Sequence, residues 1–411
     1  MKELGKEKQG QQPTQTIAER RKKMGFKKIV FALPLAALLS LPVLARAEEP
    51  DPAALQGKVD GLDERMATVE SDVSGLKKVK ISGYIQARYE YNQDSEDQFK
   101  TDAHGKTSYS NKDYFYVRRG RLKTTWEPNS MTSFLIQLDA AKDKVSLKDA
   151  EGTLQYLMAR NYLVSLKAGQ FKWPFSYDVL RSSSDREMPE RTLAVRTLMP
   201  GERDRGIQLG AGYKGLLEFR TGIFNGYGID NSTYPVITPS RDLAWVSRLA
   251  LDLGWVCLAG SSFVGRAGFT VPGAVVGEAT DLITRDKHRF GGDAQFFYAL
   301  PYLGGGRLLA EVITGKDFSQ SLGNGNGGYA PSLGYYFQVV QNILEKEQVT
   351  FRFDSFDPNT DKDDDRTDTF GLALLHNFNG NARFTLAYEI PKKEKDDKDD
   401  NKLTLQFQYK F

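Results

Sequence analysis

The stretch YFYVRRGRLKTTWEP, residues 114–128, sets Arg118, Arg119 and Arg121 among aromatic and β-branched neighbours. A guanidinium is planar, permanently charged and able to grip two oxygens at once, so a cluster of them suits recognition of small oxyanions. More cations recur along the chain at strand-like spacing: Arg88, Lys123, Lys167, Arg220, Arg248, Arg289, Arg352 and Arg383. Catalysis finds no comparable support, and the chain reads as a protein that is not an enzyme. His104, His288 and His376 fall far apart, and there is no G-x-S-x-G, no G-x-x-x-x-G-K-[ST] and no Cys/His cluster, so no cofactor and no metal site is suggested. DPNTDKDDD imitates the start of a calcium loop at Asp357, Asn359 and Asp361. It lacks the sixth-position glycine and the distal glutamate, and reads as a solvated acidic loop.

Composition narrows what could position these cations. The chain has 411 residues, 38 Gly, 19 Tyr and 24 Phe, and a mean hydropathy of -0.48, which excludes a bundle of transmembrane helices. One long apolar run exists, IVFALPLAALLSLPVLA, preceded by RRKKMGFKK and followed by a small-x-small site at Ala45 and Ala47. This is the pattern of an export signal over residues 1–47, with Met24 as the natural start. Residues 1–47 hold ten Lys/Arg and three acids, so without them 46 basic residues face 50 acidic ones, a net charge of −4. The apparent basicity therefore belongs to the signal and gives no reason to expect nucleic-acid binding. Cys257 stands alone, so an exported chain must hold together without an internal disulfide.

Beyond an acidic linker, Leu55, Val59, Leu62, Met66, Val69, Val73 and Leu76 repeat at alternating spacings of four and three. That heptad seam predicts a short coiled coil within residues 48–78. Gly57, Gly61 and Gly75 weaken it, so it forms where chains are already held together. A single amphipathic helix packed on its own domain is the alternative. From Val79 the period changes to two and stays there. In VKISGYIQARYEY, Val79, Ile81, Ile85, Ala87 and Tyr89 alternate with Lys80, Ser82, Tyr84, Gln86, Arg88 and Glu90.

Sixteen such segments follow, at about 79–91, 114–127, 131–140, 145–158, 162–171, 203–213, 216–225, 243–253, 255–264, 288–299, 306–315, 332–341, 347–356, 367–377, 382–391 and 402–411. Their connections alternate between short turns, such as KG and LG, and mostly long polar loops. Strands of about ten residues joined in this way predict an all-β, 16-stranded antiparallel transmembrane β-barrel over residues 79–411. Closure removes the sheet edges that lipid could not satisfy.

The blocks VKISGYIQARYEY, YFYVRRGRLK, LKAGQFKWPFSYDVLRSS, GERDRGIQLG and TGIFNGYG resemble those of the phosphate-selective porin O and P family. The resemblance implies a trimeric outer-membrane channel whose third loop folds into the lumen, with arginines and lysines along an anion path. It also implies a role for Phe411 as the terminal aromatic read during membrane insertion. The residues support the loop placement independently. Residues 172–202 form the longest connection, and they carry Trp173, Phe175, Val179, Leu180, Leu193 and Val195, which a solvated loop would not need.

By strand parity the lumenal cations are Arg88, Arg119, Arg121, Lys123, Lys167, Arg220, Arg248, Arg289, Arg352 and Arg383, with Lys172, Arg181 and Arg186 added from the third loop. Acids share that parity, Glu90, Asp293 and Glu389 among them, so part of the cation set is expected in wall ion pairs. Arg118 has the lipid-facing parity. An arginine there costs roughly 2–4 kcal/mol at the midplane, so it should lie near a rim, at a subunit contact or beside a bulge.

The expectation is an outer-membrane porin passing small anions, phosphate among them, by passive diffusion. A general porin for small hydrophilic solutes and an envelope tether acting through its coiled coil are the alternatives. The implied partners are outer-membrane lipid and lipopolysaccharide, two further copies of the chain, and peptidoglycan or a periplasmic protein at residues 50–78.

Overall fold

The computed structural model describes residues 62–66, 68, 70, 73, 75–93, 98–101, 107–110, 112–141, 144–158, 161–229, 243–270, 282–318, 329–395 and 400–411. The expected signal lies outside the described residues, as do the linker and much of the heptad seam. The described positions from 62 to 76 are helical.

Among the described residues eighteen strands follow: β1 (Val79–Asn92), β2 (Gln98–Thr101), β3 (Thr107–Ser110), β4 (Asp113–Asn129), β5 (Thr132–Ala141), β6 (Lys144–Met158), β7 (Tyr162–Lys172), β8 (Arg203–Tyr213), β9 (Leu217–Phe224), β10 (Ala244–Asp252), β11 (Val256–Thr270), β12 (Leu282–Leu300), β13 (Gly304–Phe318), β14 (Tyr329–Ile343), β15 (Glu347–Asp357), β16 (Thr367–Asn377), β17 (Ala382–Lys393) and β18 (Lys402–Lys410). Sixteen of them close a barrel in which β4 to β18 run in sequence order and β1 joins the two ends. The other two, β2 and β3, pair as a hairpin within the first long connection, where the sequence pattern gives only loop. Strands β11 and β12 also pair up to Thr270 and Leu282, several residues beyond the alternating segments, which shortens the loop expected there.

The seam follows from the last residues of the chain. Strand β1 pairs with β18 from Tyr84↔Lys410 to Asn92↔Lys402. Phe411 and Gly83 then exchange two backbone hydrogen bonds, of 3.0 and 3.1 Å. The Phe411 ring lies where a side chain at position 83 would stand, since a Cβ there would meet its Cζ at 2.6 Å. Outside, Ile85, Leu122, Ile136, Leu249, Phe290 and Phe351 are exposed, as a lipid-facing band requires. Aromatic pairs such as Trp126 with Phe134 and Tyr162 with Tyr213 sit at the short-turn end.

The third loop does not remain outside. It carries two short helices, α1 (Tyr177–Leu180) and α2 (Leu193–Leu198). It buries Trp173, Phe175, Val179, Val195 and Met199 against Phe224, Val246, Phe263, Ile313 and Phe356 of the inner wall. A fully buried large apolar side chain contributes about 1.5–3 kcal/mol, so five of them hold this segment firmly. The wall is shaped to receive it by glycines at inward positions. A Cβ on Gly334 would stand 2.3 Å from the Ala194 Cβ, one on Gly371 2.6 Å from the Met188 Cε, and one on Gly291 3.3 Å from the Phe175 Cζ. Apolar residues on the inner face of strands whose lumen should be polar are thus the receptor for the loop.

Substituting Gly334→Val should push α2 off the wall while leaving the barrel closed. Single-channel recording should then show altered or unsteady conductance, with the folded barrel unchanged by circular dichroism.

Candidate functional site

Arg118 shows how the local backbone sets the chemistry. Strand β1 pairs with β4 in regular register from Val79↔Trp126 to Gln86↔Arg119, and then Ala87 pairs with Val117. Arg118 is the extra residue of a β-bulge at that step, and the bulge turns its side chain inward. The lipid-facing position given by simple parity is therefore corrected: Arg118 meets the third loop in the lumen. Two consecutive arginines in a strand of period two were the visible sign of the irregularity.

The group that receives them is Glu190. Its carboxylate accepts from Arg88 Nη1 at 2.6 Å, Arg118 Nε at 2.7 Å and Arg119 Nη2 at 3.2 Å. Arg352 Nη1 donates to the Glu190 carbonyl at 2.9 Å, and Arg88 Nη2 to the Pro189 carbonyl at 2.7 Å. Glu187 forms a second clamp, paired with Arg181 and, at 3.0 Å, with Arg307, while Gln338 Nε2 donates at 2.9 Å. A third lies at the end of the loop, where Glu202 pairs with Arg191 at 2.5 Å and with Arg203 at 3.1 Å.

The cations singled out by sequence therefore divide. Arg88, Arg181, Arg352 and Arg383 hold the third loop, Arg383 through the Arg186 carbonyl at 3.0 Å. Arg186 belongs to the loop and is buried. Arg248 sits on the far wall, paired with Asp293 at 2.6 Å, and Arg289 lies against the Phe263 ring. Arg119, which also pairs with Glu190, lines open space together with Arg121, Lys123, Lys167, Lys172 and Arg220.

That space lies between the loop and the β4–β9 wall, since the apolar side of the loop packs chiefly on β10–β15. It consists of two cavities of about 240 and 320 Å³ that share Arg121 and Arg203 as lining. The first sets seven cationic side chains, among them Arg118, Arg191 and Arg196, against the carboxylates of Asp139, Glu190 and Glu202. In the second, six cations face Asp149 and Glu151. Several of these cations are anchored: Arg121 to Asp139 at 3.1 Å, Lys167 to Glu151 at 2.8 Å and Arg203 to Asp149 at 2.7 Å. Lys172 Nζ donates to the carbonyls of Leu180 and Arg181, at 2.9 and 2.8 Å. Among the described residues Lys123 and Arg196 pair with no acid. Positive charge thus exceeds negative along the whole gap, and its low-dielectric walls raise the local concentration of anions. Parity found Lys123; it missed Arg203, which begins a strand, and Arg196, which rides on α2.

Burial alone would raise the Glu190 carboxyl, but Arg119, Arg88, Arg118 and Arg186 hold it well below its ordinary 4.5. Glu187 is likewise lowered, its burial being outweighed by Arg181 and Arg307. A carboxyl depressed by folding contributes stability above its ordinary value and loses it only as pH falls through the lowered one. Glu190 and Glu187 should therefore stay charged, and their clamps intact, from neutral pH down to about 4.5. A conductance transition between pH 5 and 7 that disappears in Glu190→Gln would contradict the clamp. Glu190→Gln should cost about 3–5 kcal/mol, because it leaves several buried arginines without their counter-charge, and should appear as noisy, enlarged conductance.

The phosphate-selective porin O and P family matches residues 82–236, which contain the bulged strand and the third loop. No curated protein matches the chain. Among solved structures, the anion-selective porin from Comamonas acidovorans is 14% identical, with 81% of this chain and 99% of that one covered and a TM-score of 0.53. OprB of Pseudomonas putida is 11% identical, with 83% and 96% covered and a TM-score of 0.57. OmpF of Salmonella typhi is 11% identical, with 81% and 97% covered and a TM-score of 0.57. At such identities the likeness concerns the fold, that of a closed porin barrel.

Proposed function

We propose that the chain is an outer-membrane porin that passes small anions by passive diffusion along the gap between its third loop and the β4–β9 wall. The observation that carries this is the excess of cationic side chains on both sides of the Arg121–Arg203 neck. An anion entering from the long-loop end meets Arg196, passes Arg121 and Arg203, and leaves beside Lys123. The family match over residues 82–236 supports the reading, as does a solved structure of the same fold described as an anion-selective porin. Phosphate is the oxyanion that two neighbouring guanidinium groups suit best, and it stands in this proposal as a permeant to be tested against chloride.

The proposal includes a homotrimer, and a periplasmic helix before β1 that meets its counterparts or an envelope partner. Met66, Val73 and Leu76, which belong to the heptad seam, are exposed in the single chain and support that association.

Reversal potentials across a planar bilayer under a salt gradient test the function. Wild-type protein should be anion-selective, and phosphate in place of chloride should change the conductance if it lodges at the neck. A unit charge about 4 Å away in water is worth about 1 kcal/mol, so Lys123→Ala should lower the anion-to-cation permeability ratio by about fivefold. Cation selectivity of the wild-type channel would overturn the reading.

A further inference from the structure

The gap is not lined by polar groups alone. In its first cavity Pro200 stands exposed on the loop, in the same lining as Arg196. In the second, Leu180 of α1 and Leu135 of β5 are both partly exposed. The face on which Leu135 stands is fixed by strand pairing. It lies opposite Glu151 of β6, whose carboxylate holds Lys167 at 2.8 Å in that cavity. Its neighbours two places along the strand, Ser133 and Gln137, are polar, as a water-filled lumen favours.

These apolar side chains do not serve to dock the loop. None of the three belongs to the buried apolar clusters among the described residues, so the receptor role that explains Phe224, Val246 and Phe263 does not account for them. Apolar surface facing water is unfavourable, and hydrocarbon that covers it removes part of that cost. An inorganic oxyanion cannot cover it, because its whole surface is hydrated oxygen. An anion with its charge at one end and a few carbons behind it can meet both kinds of lining at once.

We infer that the gap is suited to small organic carboxylates, with the charged head passed between its cations and the carbon body resting on Pro200, Leu180 and Leu135 in turn. The inference rests on the reading of the gap as an anion path and narrows it from anions in general to those with an apolar body. Lys123 and Lys167 line the same cavity as Leu135, so head and body are met together there. Leu135 is thus a residue that sets specificity, while Lys123 sets the sign of the charge.

Straight-chain carboxylates from acetate to hexanoate test this on the full chain in a planar bilayer at neutral pH, where all are ionised alike. The concentration that halves the chloride current should fall by about twofold per methylene, since a methylene taken fully out of water is worth about fourfold and the wall covers only one side of it. Leu135→Asn should flatten this series, whereas Lys123→Ala should weaken every member equally. A wild-type channel that is anion-selective yet blocked equally by acetate and hexanoate would overturn the inference and leave the anion path standing. A cation-selective channel would overturn the path itself. A series that keeps its slope in Leu135→Asn would refute the role of Leu135. Should that variant not fold, the wild-type series decides the class of solute alone.

Discussion

One carboxylate on a loop, held by three arginines of the barrel wall, organises the interior of this protein. Glu190 brings Arg88, Arg118 and Arg119 together from two adjacent strands, and Arg352 reaches its carbonyl from β15, four strands round the wall from β1. Each arginine by itself would be costly to bury, and so would the carboxylate. Together they fix where the loop crosses the lumen, and the crossing leaves one side filled and the other open. The surplus of positive charge along the gap is thus a consequence of how the loop is pinned: cations used in the clamp neutralise the loop's acids, and the remaining ones face water.

The apolar contacts complete what the ion pairs begin. Trp173, Phe175 and Val195 form a small core with Phe263, Ile313 and Phe356 inside a barrel whose lumen is otherwise polar. Ion pairs supply register and orientation, while the core supplies most of the non-directional attraction. The inward glycines of β12, β14 and β16 let the two surfaces approach closely. The strained start of the loop fits this picture. Ser176 has φ 61°, yet its Oγ accepts from the Val179 backbone N at 3.2 Å and its own backbone N donates to Ser261 Oγ at 3.2 Å.

The sixteen strands were legible because a membrane barrel imposes period two on every strand and sorts its connections into short and mostly long. The inward loop was legible because six apolar residues in one connection need something to pack against. Parity gave the right face for Arg119, Arg121 and Lys123, and it failed at Arg118 because one bulged residue reverses the alternation. Which arginines are bound to acids was not legible. Glu190 lies 102 positions from Arg88 and 162 from Arg352, and only the folded chain brings them together. The pattern also gave no warning that Phe224, Val246 and Phe263 would face inward, since a polar lumen was the general expectation.

The central claim, that the docked loop divides the lumen into a sealed side and a permeant side, is open to direct measurement by cysteine accessibility. In a Cys257→Ser background, Lys123→Cys and Gln208→Cys lie on the gap, whereas Thr385→Cys and Thr404→Cys lie behind the loop. A charged, water-soluble thiol reagent added during single-channel recording should modify the first pair quickly and reduce the current. It should leave the second pair unreacted. Equal reaction at all four positions would contradict the account, because it would mean that the third loop does not close one side of the barrel.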